Sequence, residues 1–199
     1  LSHVPLGVNA PIVMTTRDQI KTRYSLPESF LLFVGTLEPR KNLSRLIAAL
    51  ETLGDSVPEL VVVGATGWGD VTDSAKISSQ FKSRVRFAGF VQPSDLGAMY
   101  ASAEVLCYPS LMEGFGLPIL EAMSYGTPVV TSKGSSTQEV AGNAAVLVDP
   151  LDASSIASGV LQALSHKSEL SRLGLARANE MTWQATAAKT ADVYEQVVR

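Results

Sequence analysis

Six short runs in this chain are apolar almost throughout, and most are followed by a segment of helical periodicity. The runs are 30–35 (FLLFVG), 59–64 (ELVVVG), 84–89 (RVRFAG), 104–108, 127–132 (TPVVTS) and 144–148. Short β-branched runs suit strands, and runs without polar alternation suit strands covered on both faces. Helices are expected at 43–53, where Leu43, Leu46, Ile47 and Leu50 share one face and Asn42 precedes as N-cap. Further helices are expected at 71–81, 94–101, 118–125 and 136–141. The helix at 118–125 has Pro118 at its first position and Gly126 just past its end. Three more, at 153–164, 168–180 and 183–198, close the chain. Strands alternating with helices predict a doubly wound α/β domain: a six-stranded parallel sheet with helices on both faces. Residues 1–30 read as a linker plus a helix near Thr16–Tyr24.

In such a sheet, ligands bind beyond the carboxyl ends of the strands. The segments that follow the strands are rich in glycine: Gly35-Thr36 with Arg40 and Lys41, then 64–69, Gly89-Phe90-Val91, 109–121 and 132–137. Segment 109–121 sets two carboxylates, Glu113 and Glu121, around Gly114-Phe115-Gly116-Leu117 at a helix start. Glycines let backbone N–H groups approach a ligand, and the helix start adds a positive dipole end. Phosphates would take the N–H groups and sugar hydroxyls the carboxylates. Arg40 and Lys41 stand before another helix start, where the dipole disfavours cations and an anion would relieve the conflict. Taken alone, the two cations read rather as a solvated pair, and their place on the glycine-rich rim makes the two readings even. Glu113 reads equally as a loop surface charge, and Glu121 as a dipole-favoured helix-start carboxylate.

Other chemistries lack support. A net charge of −3 argues against generic nucleic-acid or anionic-membrane binding. No apolar run approaches the roughly 20 residues of a membrane span. The single cysteine, Cys107, allows no disulfide framework within the chain and reads as a buried small hydrophobe, with a reducing cytoplasm as the default setting. There is no P-loop, no G-x-G-x-x-G after the first strand, and no Asp-x-Asp pair or histidine cluster for a divalent metal. Ser136 to Glu139 fits a capping box. His3 and His166 are expected at the surface, Trp68 in packing or at the rim, and Trp183 at the start of the last helix in the core. The chain opens without Met at Leu1, as a piece of a longer protein would.

The segments VGTLEPRKNLSRLIAAL, VRFAGFV, YPSLMEGFGLPILEAMSYGTPVVTS and AAVLVDPLD together resemble the C-terminal domain of family 4 (group 1) retaining glycosyltransferases of the GT-B fold. The resemblance runs from about residue 5 to the C-terminus. GTLEPRKN is most similar to mannosyltransferases of the O-antigen type. The resemblance implies the Rossmann-like C-terminal half of a two-domain fold. In that frame 1–30 would be a post-hinge segment and leading helix, and 31–165 the nucleotide-sugar domain. Residues 166–199 would be C-terminal helices, the last packing towards an N-terminal domain absent from this sequence.

The resemblance also implies roles. Arg40 and Lys41 would bind the donor diphosphate, Glu121 the ribose hydroxyls, and Glu113 the transferred sugar. The backbone of Gly114, Phe115, Gly116 and Leu117 would hold sugar and phosphate, that of Phe90 and Val91 the base, with Gly35 and Thr36 beside the donor. Family members often carry Arg where Thr36 stands, a task expected to fall to Arg40. Lys133 is a further candidate phosphate contact. The implied reaction is transfer with retention and without metal or other cofactor, from a GDP-sugar donor to a glycan or lipid-linked acceptor held by the N-terminal domain. The full-length enzyme is expected in the cytoplasm, with a peripheral place on the inner face of the membrane open. This chain alone is expected to bind donor nucleotide and transfer no sugar. The alternatives are a UDP-sugar-dependent transferase, a GT-B nucleotide-sugar epimerase and a non-catalytic sugar-nucleotide binding module.

Overall fold

The computed structural model describes residues 2–9, 12, 14–65, 67 and 79–198. Its strands are β1 (Phe30–Val34), β2 (Glu59–Val63), β3 (Val85–Gly89), β4 (Val105–Tyr108), β5 (Val129–Ser132) and β6 (Val146–Val148). They form one parallel sheet in the order β3-β2-β1-β4-β5-β6. This is the doubly wound Rossmann order, with the direction of winding reversing between β1 and β4. Each strand lies within two residues of its expected run, because burial on both faces leaves an unbroken apolar signature.

The alternation along β1 shows how the faces divide. Leu31 and Phe33 enter one core with Leu60, Val62, Cys107 and Val130. Helices α2 (Leu43–Leu53) and α7 (Ala153–Ser165) cover that face. Phe30, Leu32 and Val34 enter the other core with Val61, Val63, Leu106 and Tyr108. Helices α1 (Arg17–Tyr24), α4 (Pro93–Ser102), α5 (Leu117–Ser124), α6 (Ser136–Ala141) and α8 (Lys167–Glu180) contribute to it. Cys107 is fully buried, and its apolar surroundings push the thiol pKa up to about 12. Of the helix expected at 71–81, only α3 (Ser79–Lys82) falls among the described residues. Residues 71–78 and Trp68 lie outside them.

The leading helix carries a capping box, with Thr16 as N-cap and Gln19 reaching back to the Thr16 N–H. It is anchored to α4 through Asp95, which is fully buried. Thr15 Oγ1 donates to Asp95 at 2.7 Å, Tyr24 O–H at 2.7 Å and Arg23 at 2.5 Å. These bonds hold the Asp95 pKa at about 2, with Thr15 the largest cause.

Three expectations need correction. Asn42 stands at the N-cap of α2 but in a left-handed conformation, and its side chain caps nothing. Ser136 is the first residue of α6 rather than its cap. Its hydroxyl donates to the Glu113 carbonyl at 2.8 Å, so the capping box at 136–139 does not form. Trp183 opens the last helix, α9 (Trp183–Val198), and is 40% exposed rather than in the core. It sits where the chain 181–183 runs alongside Gly7 and Val8, at the edge of the packed layers. No helix among the described residues is long and apolar enough to cross a membrane.

Candidate functional site

The winding reversal places the segments after β1 and β4 side by side at the carboxyl rim. After β1 the chain turns through Gly35 and Thr36 into a 3-10 turn, Pro39–Lys41. After β4 it runs through 109–116 into α5. Buried Asn42 ties these segments together. Its Nδ2 donates to the carbonyls of Pro109 (2.9 Å) and Pro150 (2.7 Å), while its Oδ1 accepts from Arg45 (2.7 Å). The Leu111 N–H donates to the Arg40 carbonyl at 2.7 Å. Asn42 itself stands in the left-handed backbone region, at φ 63°.

This geometry brings Arg40, Lys41 and Glu113 into direct contact. Lys41 Nζ lies 2.7 Å from Glu113 Oε1, and Arg40 donates to Glu113 Oε2 at 2.8 Å. Arg40 Nε also bonds Glu38 at 2.7 Å. The Glu113 side chain is 7% exposed and that of Lys41 9%, whereas that of Arg40 is 41% exposed and faces the rim. A further residue joins them. Tyr108, at the end of β4, donates its hydroxyl to Glu113 Oε1 at 2.9 Å and accepts from Lys41 Nζ at 2.5 Å. Burial would raise the Glu113 pKa, but hydrogen bonding and charge from Lys41 outweigh it, and the pKa falls below the usual carboxylate value. Tyr108 is driven the other way by burial and by the Glu113 charge, so it stays a protonated donor. Tyr108 was not among the expected site residues, because its hydroxyl is hidden at the end of an apolar strand run.

The remaining residues surround this cluster. Gly35 has no Cβ to press on Lys41, whose Cε would lie 3.4 Å from it. Thr36 is exposed. Gly64 closes the neighbouring strand end so tightly that a Cβ there would stand 2.0 Å from the Gly35 carbonyl oxygen. Gly116, at φ 111°, forms the N-cap of α5 and offers no side chain to its first-turn N–H groups. The position a Cβ would take at Gly114 faces open space. Phe115 is partly buried against the core that holds Val140 and Met181, and lines a second cavity with them. Val91 is likewise buried by its side chain, while Phe90 is 66% exposed. Lys133 is paired with Asp149 at 3.3 Å.

Glu121 stands apart from the ion-paired cluster, one turn into α5. It lines a cleft of about 610 Å³ together with Leu117, Pro93, Gly97, Tyr100 and Trp183. Tyr100, buried on α4, donates its hydroxyl to Glu121 Oε2 at 2.7 Å. The site therefore has two compartments. One holds two cations around a buried carboxylate, and the other is an apolar-walled cleft with a carboxylate in it. No group of three or more potential metal-ligating side chains occurs among the described residues.

An all-parallel sheet in this order, with its charged groups gathered at the reversal point, defines a doubly wound, Rossmann-like domain. The sequence assigns it further. Residues 15–179 match the model of the group 1 glycosyl transferases, and the chain belongs to that family. It is 37% identical over 175 residues to O-antigen chain mannosyltransferase B of Escherichia coli, covering 84% of this chain and 46% of that protein. It is 32% identical over 206 residues to the MMP alpha-(1->4)-mannosyltransferase of Mycolicibacterium hassiacum, covering 100% of this chain and 49% of that protein. Among solved structures, sucrose-phosphate synthase from Thermosynechococcus elongatus superposes with a TM-score of 0.82 at 27% identity, over 98% of this chain and 52% of that one. The chain spans about half the length of the curated relatives it matches.

Proposed function

We propose that this chain is the donor-binding half of a retaining hexosyltransferase that moves mannose from GDP-mannose to a glycan or lipid-linked acceptor. The observation that carries the reading is the cluster of Arg40, Lys41 and Glu113 at the winding reversal of the sheet, with Glu121 one turn into the helix that follows. The relatives named as mannosyltransferases support a mannosyl donor.

The geometry gives each group a task. The diphosphate lies against Arg40 and the start of α5, with Lys41 behind. Arg grips phosphate oxygens through two N–H groups, while Lys contributes a compact charge. As the bond to the sugar breaks, negative charge grows on the leaving diphosphate, and these fixed cations and N–H groups stabilise it. No metal is required, since Arg40, Lys41 and backbone dipoles supply the positive charge. Glu113 keeps Lys41 and Arg40 in place and turns an oxygen to the transferred sugar as the phosphates draw the cations away. Glu121 takes the ribose hydroxyls in the cleft, and the backbone at Phe90-Val91 meets the base. The acceptor belongs to a domain outside this sequence, so the chain by itself binds donor and transfers nothing.

Calorimetry with GDP, UDP and ADP tests the reading. GDP should bind most tightly, and Arg40→Ala should weaken GDP far more than guanosine. Absence of binding by all three nucleotides refutes the donor site. A preference for UDP moves the donor to a UDP-sugar and leaves the site in place. Sugar transfer by the 199 residues alone would refute the division of labour.

A further inference from the structure

We infer that Tyr100 is a positioning residue: its buried hydroxyl fixes the Glu121 carboxylate so that one oxygen is held by the protein and the other is presented to the ribose. The inference rests on the reading of Glu121 as the ribose contact. It adds which group sets that contact and how many oxygens remain for it.

Tyr100 is 1% exposed, and its hydroxyl lies 2.7 Å from Glu121 Oε2. The residue is held through its ring and through its backbone. It stacks on Tyr125, with centroids 6.0 Å apart and planes inclined by 18°. Its backbone carbonyl accepts from Thr127 Oγ1 at 2.6 Å. Tyr125 is pinned in turn, since its hydroxyl meets the backbone of Ile12 through both N–H (3.2 Å) and carbonyl (3.1 Å). A fully buried ring clamped in this way cannot follow Glu121 if that side chain changes rotamer. Glu121 must instead stay where the hydroxyl is. It opens onto the cleft that Tyr100, Tyr125 and Ile12 also line.

A carboxylate in solution gives up rotamer freedom when it grips a diol. Here that cost is met on folding, as preorganisation requires. The arrangement is also chemically one-sided. The phenol donates to Oε2, and burial beside the Glu121 charge holds the phenol protonated. Oε1 is left as the principal acceptor for hydroxyl donors. The cleft therefore favours ligands that offer ribose hydroxyls, and most of that preference is expected to depend on an oxygen the ligand never touches.

The test compares Tyr100→Phe with wild type by calorimetry, using GDP and UDP each beside its 2′,3′-dideoxy counterpart. Wild type should favour the diol form. Tyr100→Phe should lose about tenfold in affinity for the diol form, the scale of one hydrogen bond to a charged group, and little for the dideoxy form. Equal losses for both forms would make Tyr100 a purely structural residue and overturn the inference alone. Equal binding of both forms by wild type would overturn the ribose reading and this inference with it. A second measurement needs no variant. The buried Tyr100 hydroxyl proton should give a downfield resonance that shifts when the diol nucleotide binds. A resonance that ignores the diol, or responds identically to the dideoxy form, overturns the inference.

Discussion

Replacing Glu113 by Gln leaves the shape of the rim almost unchanged and removes the charge that compensates two cations. The consequence can be worked from the burial of each partner. Lys41 has a side chain 9% exposed and keeps only Tyr108 and one amide oxygen as acceptors. Arg40 is 41% exposed and retains Glu38, so solvent and that second carboxylate absorb most of its loss. Removing one partner of a buried pair costs about 3–5 kcal/mol. Because one cation is half-exposed and the amide still accepts one hydrogen bond, the lower end applies, about 3 kcal/mol. In a chain of this size each kcal/mol moves the melting temperature by about 2–4 °C, so Glu113→Gln should melt about 6–12 °C lower at pH 7. Circular dichroism melts give the value. Lys41→Met added to Glu113→Gln should recover at least half of the loss, since the stranded ammonium is then gone. The pH dependence has a definite sign. Glu113 has a depressed folded pKa, so its contribution is present above the ordinary carboxylate value of about 4.3 and is lost as pH falls through the folded one. The gap between wild type and variant should therefore close below about pH 4. A melting shift under about 2 °C, or a double variant less stable than the single one, would refute a buried ion pair as the support of this rim.

Two other perturbations test the frame around the site. Asp95→Asn should destabilise by about 2 kcal/mol at neutral pH, the scale of lost charged hydrogen bonds. The Asp95 contribution is present above its unfolded value of about 3.9 and lost as pH falls through about 2, so the difference in denaturant midpoints should shrink across that window. Gly116→Ala forces a side chain into φ 111° with Ile119 at 3.2 Å and Thr137 at 3.3 Å. It should cost about 1–2 kcal/mol in chemical denaturation and weaken diphosphate binding by tilting the start of α5.

The sheet was legible because its strands are covered on both faces, so 30–35, 59–64 and 127–132 carry their assignment in local composition alone. The rim was legible as a set of loops but not as a network. Arg40 and Glu113 are 73 residues apart and meet only because β1 and β4 are neighbours. Strand order is a tertiary outcome that no local pattern states. Capping is the local use of an asparagine before a helix, and sequence alone makes Asn42 a cap. Its actual partners, Pro109 and Pro150, lie 67 and 108 residues away. Tyr100 and Tyr108 were overlooked for a related reason. Each sits in an apolar stretch where an aromatic ring suffices to explain its presence, and the hydroxyl acquires meaning only from the carboxylate opposite. Trp183 opens a helix whose pattern suits the core, whereas its exposure follows from where α9 leaves the packed layers.

The same Glu113→Gln variant makes a second prediction, of opposite sign to the first. In the free protein Glu113 neutralises Arg40 and Lys41, so on the proposed reading an incoming diphosphate must compete with a carboxylate already bonded to both. Glu113 also repels the phosphates once they arrive. Two unit charges about 6 Å apart at an effective dielectric of about 20 repel by about 3 kcal/mol, an upper bound. Screening and the retained amide dipole reduce this to about 1 kcal/mol, or roughly fivefold in affinity. On the proposed reading, then, Glu113→Gln binds GDP roughly fivefold more tightly than wild type while melting lower without ligand. Paired calorimetry and melting on one protein preparation decide the matter. A carboxylate that serves only to hold the rim together would lose stability and affinity in step, because a disordered rim binds phosphate poorly. Opposite signs in a single variant require that Glu113 and the diphosphate share the same two cations. Loss of GDP affinity in a folded Glu113→Gln protein would refute this competition and leave Glu113 as the group that holds Arg40 and Lys41 in place.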